Sequence, residues 1–122
     1  EYVDRQEANT NGDKRKMRLG AHHCKLAEGS HLQAAYQESQ IYERFRALCK
    51  FNNTYRNDFI AHGMIEAAVS HDERNVEGVE LPAGVHPWFV GVQFRPEFKS
   101  RITKPSPLIK AFLGACLTGL DV

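Results

Sequence analysis

His86-Pro87-Trp88-Phe89-Val90-Gly91-Val92-Gln93-Phe94-Arg95-Pro96-Glu97-Phe98 is the most informative stretch of this 122-residue chain. Trp88 to Phe94 is almost wholly apolar and stops one residue short of a proline. Proline has no N–H to give a ladder, so the run reads as a buried central strand ended sharply. Arg95 and Glu97, the charges of this stretch, lie just past that end. Side chains at the end of a buried strand are where open α/β sheets keep their chemistry.

Outward from there, Ile41 to Phe51 alternates best. Ile41, Phe45, Ala47, Cys49 and Phe51 share one face; Tyr42, Arg44, Arg46, Leu48 and Lys50 share the other, as in a half-buried strand. Met17 to Leu26 is a looser strand. Ser30 followed by Gln33 is a capping box and predicts a short helix to Tyr36. Asn53 or Thr54 is expected to cap a helix to about His62, ended by Gly63, with Tyr55, Phe59 and Ile60 inward. Met64 to Val69 and Val76 to Leu81 flank a polar turn and predict a hairpin. Ser106 with Pro107 opens a last helix, apolar nearly all round, which needs cover on most sides.

Composition sets limits. A net charge of +1 with 25% charged residues implies neither a nucleic-acid nor an anionic-membrane partner. No apolar run approaches the roughly 20 residues of a membrane span. Glu1 to Gly12 has no apolar core of a signal peptide. Three widely spaced cysteines read as reduced thiols in a cytoplasmic protein. Glu1 to Lys16, with Asn9-Thr10-Asn11-Gly12-Asp13, reads as a flexible arm before one domain over residues 17–122. His22, His23 and Cys24 suggest zinc, but consecutive strand residues point to opposite faces, so no metal is expected. No Gly-rich phosphate loop is present, and nothing in the pattern calls for a cofactor.

Val90-Gly91-Val92-Gln93-Phe94-Arg95-Pro96-Glu97-Phe98-Lys99-Ser100-Arg101, with Lys104-Pro105-Ser106-Pro107-Leu108, resembles the end of the glutaminase domain of CTP synthases, which are class I glutamine amidotransferases. That family writes F-H-P-E-F-x-S-R-P-x-K-P-x-P-L there. Met17-Arg18-Leu19-Gly20, Tyr42-Glu43-Arg44 with Phe51-Asn52-Asn53, and Val79-Glu80-Leu81-Pro82 agree in the same order. The resemblance implies an α/β fold: the C-terminal half of a flavodoxin-like three-layer sandwich, a mixed sheet with flanking helices. It also implies glutamine hydrolysis by a cysteine that a histidine and a glutamate activate, supplying ammonia for CTP synthesis from UTP.

The departures fall on the chemistry. Glu97 keeps the acid position, but Arg95 stands where the family has its histidine. A guanidinium holds its proton throughout the physiological range and cannot serve as a base. Where the family reads E-R-H-R-H-R-Y-E-F-N-N, this chain has Leu48 and Cys49 in place of the arginine and tyrosine that contact glutamine. Leucine offers no charged fork for a carboxylate and cysteine only a weak donor. Phe45 and Ala47 replace two histidines, and these changes suit burial. The family's nucleophile sits in a G-x-C-x-G elbow; the nearest imitation, Gly114 to Gly119, has a glycine one residue too far, so Cys116 reads as a buried helix residue. An Arg95–Glu97 ion pair is the ordinary expectation at the site.

Three functions fit. The first is an inactive module for binding, regulation or oligomerisation, partnered by itself or by a missing N-terminal half. The second is one part of a split glutaminase. The third is another chemistry using Glu97, Arg95 and His86.

Overall fold

The computed structural model describes residues 3–5 and 17–119. Strands β1 (Val3–Arg5), β2 (Arg18–Leu26), β3 (Gln40–Ala47), β4 (Cys49–Phe51), β5 (Ile65–Ser70), β6 (Val76–Glu80) and β7 (Val90–Val92) alternate with helices α1 (His31–Tyr36), α2 (Arg56–Ala61) and α3 (Pro107–Thr118). Five strands form one sheet in the order β3-β2-β5-β6-β7, and β1 pairs with β4 separately. Every pairing within these residues is antiparallel. The fold is α/β. Of the arm expected over residues 1–16, Val3–Arg5 pair with Cys49–Phe51, and the rest lies outside the described residues.

The core is Leu26, Leu32, Ile41, Phe45, Phe94 and Leu108 with their small neighbours. The capping box forms as expected: Ser30 Oγ accepts the Gln33 N–H at 3.0 Å. Gln33 Oε1 answers one residue early, accepting the Gly29 N–H at 2.8 Å. Helix α1 lies so close to the sheet that a Cβ on Gly78 would stand 2.9 Å from Leu32 and 3.0 Å from Ala68. Only glycine fits there without displacing a neighbour. The hairpin β5–β6 also forms.

Four expectations need correction. The run Trp88 to Phe94 is not a central strand: only Val90–Val92 are extended, half-buried, at the sheet's edge. The doubly covered strand is β6, where Val76, Glu77, Gly78 and Glu80 are buried. The strand expected from Ile41 to Phe51 breaks at Leu48 into β3 and β4, and those two join different sheets. The cap after it is Asn52, whose Oδ1 accepts the Thr54 N–H at 3.0 Å before a single 3-10 turn leads into α2, and Ile60 is exposed. Gly63, at φ +88°, does end that helical stretch. Helix α3 buries Leu108 and leaves Phe112, Leu113 and Leu117 exposed. No helix among the described residues is long and apolar enough to cross a membrane.

Candidate functional site

Past the end of β7, Pro96 starts a 3-10 turn, Pro96–Lys99, that carries Glu97. Two bonds dock this turn on β3. The Arg95 N–H donates to the Arg44 carbonyl at 2.8 Å, and Lys99 Nζ donates to the Tyr42 carbonyl at 2.5 Å. The backbone of the site is therefore fixed, while its charged tips reach solvent. Arg95 Nη1 lies 3.7 Å from Glu97 Oε1, and both side chains are about half exposed. That is the expected ion pair, loose and wet.

Leu48 is the break that follows β3, and Cys49 opens β4. The Leu48 side chain is 47% exposed, which corrects the expectation that apolar replacement there meant burial. Cys49 is half-buried in β4. The structure brings Arg95 and Glu97 together, and places Leu48 at the break between β3 and β4 with Cys49 opening β4.

None of the three cysteines occupies a strand-to-helix elbow. Cys24 is buried in β2, and burial with the Glu77 carboxylate nearby pushes its thiol up to about 12. At neutral pH it stays protonated and inert. Cys116 is in α3, and it is exposed rather than buried. All three are free thiols.

His86 Nδ1 accepts the Trp88 N–H at 3.2 Å and so pins the lead-in to β7. His22 and His23 diverge as strand geometry requires. The His22 ring meets Phe45 edge-on at 5.2 Å, while His23 stacks between Tyr42 at 4.7 Å and His71 at 4.6 Å. Among the described residues no three His, Cys, Asp or Glu side chains come together as a metal site. A cavity of about 450 Å³ is bounded by Tyr55, Asp58, Phe59, His62, Met64 and Leu81. It includes neither Arg95 nor Glu97.

Three buried carboxylates went unread in the sequence. Glu80, 1% exposed, accepts the His31 and Leu32 N–H groups at 2.8 and 2.7 Å and caps α1 from across the sheet. Glu77, 1% exposed, meets Arg18 at 2.7 Å, and the Arg18 guanidinium lies 3.9 Å above the Phe45 ring. Glu43, 3% exposed, accepts the Tyr36 hydroxyl at 3.0 Å. Burial raises the carboxyl pKa of Glu43 and of Glu77, opposed by Tyr36 and Lys99 for the first and by Arg18 for the second. Burial and the Glu43 charge together push the Tyr36 phenol up. One signal was available: Glu43 sits between Ile41 and Phe45 on the inward face of the alternation.

No protein-family model matches the chain. It is 50% identical over 99 residues to a CTP synthase of Moorella thermoacetica and 48% identical over 99 residues to one of Bacillus subtilis, covering 81% of this chain in both cases. The chain spans 18% of the length of those relatives. In three dimensions it resembles the glutaminase domain of Trypanosoma brucei CTPS, solved with bound acivicin, at a TM-score of 0.83 and 28% identity. That match covers 96% of this chain and 46% of the other. A putative GMP synthase protein of Thermoplasma acidophilum shares the fold, at a TM-score of 0.64 and 14% identity.

Proposed function

We propose that this chain is a CTP synthase-type glutaminase segment that does not hydrolyse glutamine by itself and serves as a binding, regulatory or oligomerisation module. One observation carries the reading: at the end of β7, beside Glu97, stands the guanidinium of Arg95. Amide hydrolysis by a cysteine needs a base that takes the thiol proton and returns it to the leaving ammonia. Histidine does this because it titrates near neutral pH. Arginine stays protonated throughout, so it can neutralise Glu97 but cannot carry the proton. The exposed Leu48 adds no donor for a glutamine carboxylate.

The test is ammonia release from glutamine at neutral pH by the purified chain and by Arg95→His. No turnover is expected from either, because the second defect at Leu48 and the lack of an elbow cysteine remain. Ammonia from the unaltered chain sinks the proposal. Ammonia from Arg95→His alone reduces the defect to one residue.

A second reading, one part of a split glutaminase feeding CTP synthesis from UTP, draws on the half-exposed Glu97 and on the outer edge of β7, which no strand among the described residues pairs. Arg95 and Leu48 weigh against it. Activity appearing when the chain is mixed with a segment bearing the nucleophilic cysteine would decide for it.

A further inference from the structure

Helix α2 and the turn before it place Tyr55, Asp58, Phe59 and His62 at steps of three and four, so the four share one helical face. The β5–β6 hairpin supplies the opposite wall. Its ladder ends with Ile65 opposite Glu80, and Met64 and Leu81 are the residues just past that end. These six side chains bound the cavity of about 450 Å³, a size within the roughly 300–1,000 Å³ of small-molecule sites. Tyr55, Phe59, Met64 and Leu81 are half-buried, whereas Asp58 and His62 are exposed at the rim. The Phe59 ring meets the buried Phe51 edge-on at 5.2 Å, which steadies the apolar floor.

The rim presents acceptors. His62 Nδ1 lies 2.7 Å from the Asp58 carbonyl. A carbonyl only accepts, so Nδ1 carries the hydrogen and the neutral ring offers Nε2 as an acceptor. The Asp58 carboxylate also only accepts. Its own helix has a cation, Arg56, but two bonds of 2.5 and 2.8 Å hold that guanidinium on Glu66. The exposed acids of the hairpin turn are matched as well, Glu73 with Lys25 at 2.7 Å and Asp72 with Arg74 at 3.8 Å. Among the described residues no cation pairs with Asp58. An apolar floor beneath an unmatched carboxylate and a second acceptor suits a ligand that joins an apolar ring to a positively charged donor.

We propose that this cavity binds a small aromatic amine, with its ring against Phe59, Met64 and Leu81 and its ammonium at the Asp58 carboxylate and His62 Nε2. The site goes beyond the glutaminase reading and does not depend on it, because neither Arg95 nor Glu97 lines the cavity. The Asp58 charge sets the selectivity: an acid of the same shape meets repulsion where the amine meets a partner.

The experiment is a nuclear magnetic resonance titration of the full nitrogen-15-labelled chain at neutral pH. One ligand is tryptamine. The other is indole-3-propionate, which keeps the ring and the linker but carries a carboxylate in place of the ammonium. Saturable shifts are expected with tryptamine at residues 55–64 and 81, and the acid should bind about tenfold more weakly. Asp58→Asn keeps the size of an exposed side chain and removes its charge. It should weaken tryptamine about three- to fivefold, the range of a partly wet ion pair, and should not weaken the acid. Leu81→Ala should weaken both ligands several-fold through the lost wall. Glu38→Gln, at an exposed acid outside the cavity, should change neither. No saturable shift with millimolar tryptamine, equal binding of amine and acid, or tryptamine binding indifferent to Asp58→Asn overturns the proposal. So do shifts that map to another part of the chain.

Discussion

The body, made of β2, β3 and β6 with α1, and the β7–α3 flank belong to one sheet and its covering helices and are built differently. In the body, Phe45 is 1% exposed and the carboxylates of Glu43, Glu77 and Glu80 are each buried against a donor. In the flank, β7 is half-buried, Phe112, Leu113 and Leu117 are exposed, and Arg95 and Glu97 touch only loosely through water-accessible tips. A carboxylate taken out of water is costly unless it is paired, and each of these acids has a donor within reach: Tyr36 for Glu43, Arg18 for Glu77 and the α1 N–H groups for Glu80. The flank meets no such demand. Integrity of the fold is thus concentrated away from the residues that the resemblance assigns to chemistry.

The sharpest way to break this contrast is Phe45→Ala. Phe45 stands where the related pattern has a histidine, packs on Phe94 at 6.0 Å and carries the Arg18 guanidinium on its face. Truncating a buried phenylalanine costs about 3–5 kcal/mol through lost burial and the cavity left behind. A urea titration should show that loss as a lower midpoint with little change in slope. Leu117→Ala on the flank, at a side chain 67% exposed, should cost less than about 0.5 kcal/mol. Equal effects would abolish the distinction between the regions.

What the sequence made legible follows the same division. Periodicity and caps sufficed where neighbours in sequence settle the outcome: β2, the Ser30 box of α1, and the β5–β6 hairpin with its polar turn. They failed where a distant partner decides. Trp88 to Phe94 reads as buried because an apolar run looks the same whether a sheet covers it on both sides or on one. Glu80 looks like a strand-end charge, yet its partners are the N–H groups of His31 and Leu32, 49 and 48 positions away. At the candidate site, the pairing of Arg95 with Glu97 was readable from their spacing. The break at Leu48 that puts Cys49 on another strand was not, because it arises where the chain leaves one sheet for another.

The next effect is one of pH. The Glu43 carboxyl is raised from its ordinary value of 4.5, first by burial, with Tyr36 and Lys99 pulling the other way. A folded state with a raised acid keeps a proton that the unfolded chain releases. The resulting stability is full below the unfolded carboxyl range and is lost as pH rises through the raised folded value. Tyr36 from α1, Lys99 from the turn after β7 and Cys24 from β2 are the titrating groups facing Glu43. Glu43→Gln keeps the shape and an acceptor for the Tyr36 hydroxyl without the charge. It should melt higher than the parent chain at pH 8, and the difference should shrink toward pH 4. A residual slope belongs to Glu77, raised in the same direction. A variant that melts lower at pH 8 would show that the charge of Glu43, rather than its shape, holds the body together.

The smallest expected effect is at the residue most tempting to overvalue. Arg95→Ala removes a guanidinium 3.7 Å from Glu97, with both partners about half exposed. Exposed pairs contribute about 0–1 kcal/mol, and solvent screening reduces a loose one further. The Arg95 N–H keeps its bond to the Arg44 carbonyl whatever the side chain, so the turn stays docked on β3. Thermal or urea unfolding should therefore move by less than about 0.5 kcal/mol, and added salt should erase most of that. If Arg95→Ala instead cost as much as Phe45→Ala, the guanidinium would be part of the fold's support. Its presence in place of histidine would then have a structural cause, and the contrast between a built body and an unbuilt site would fail at its central residue.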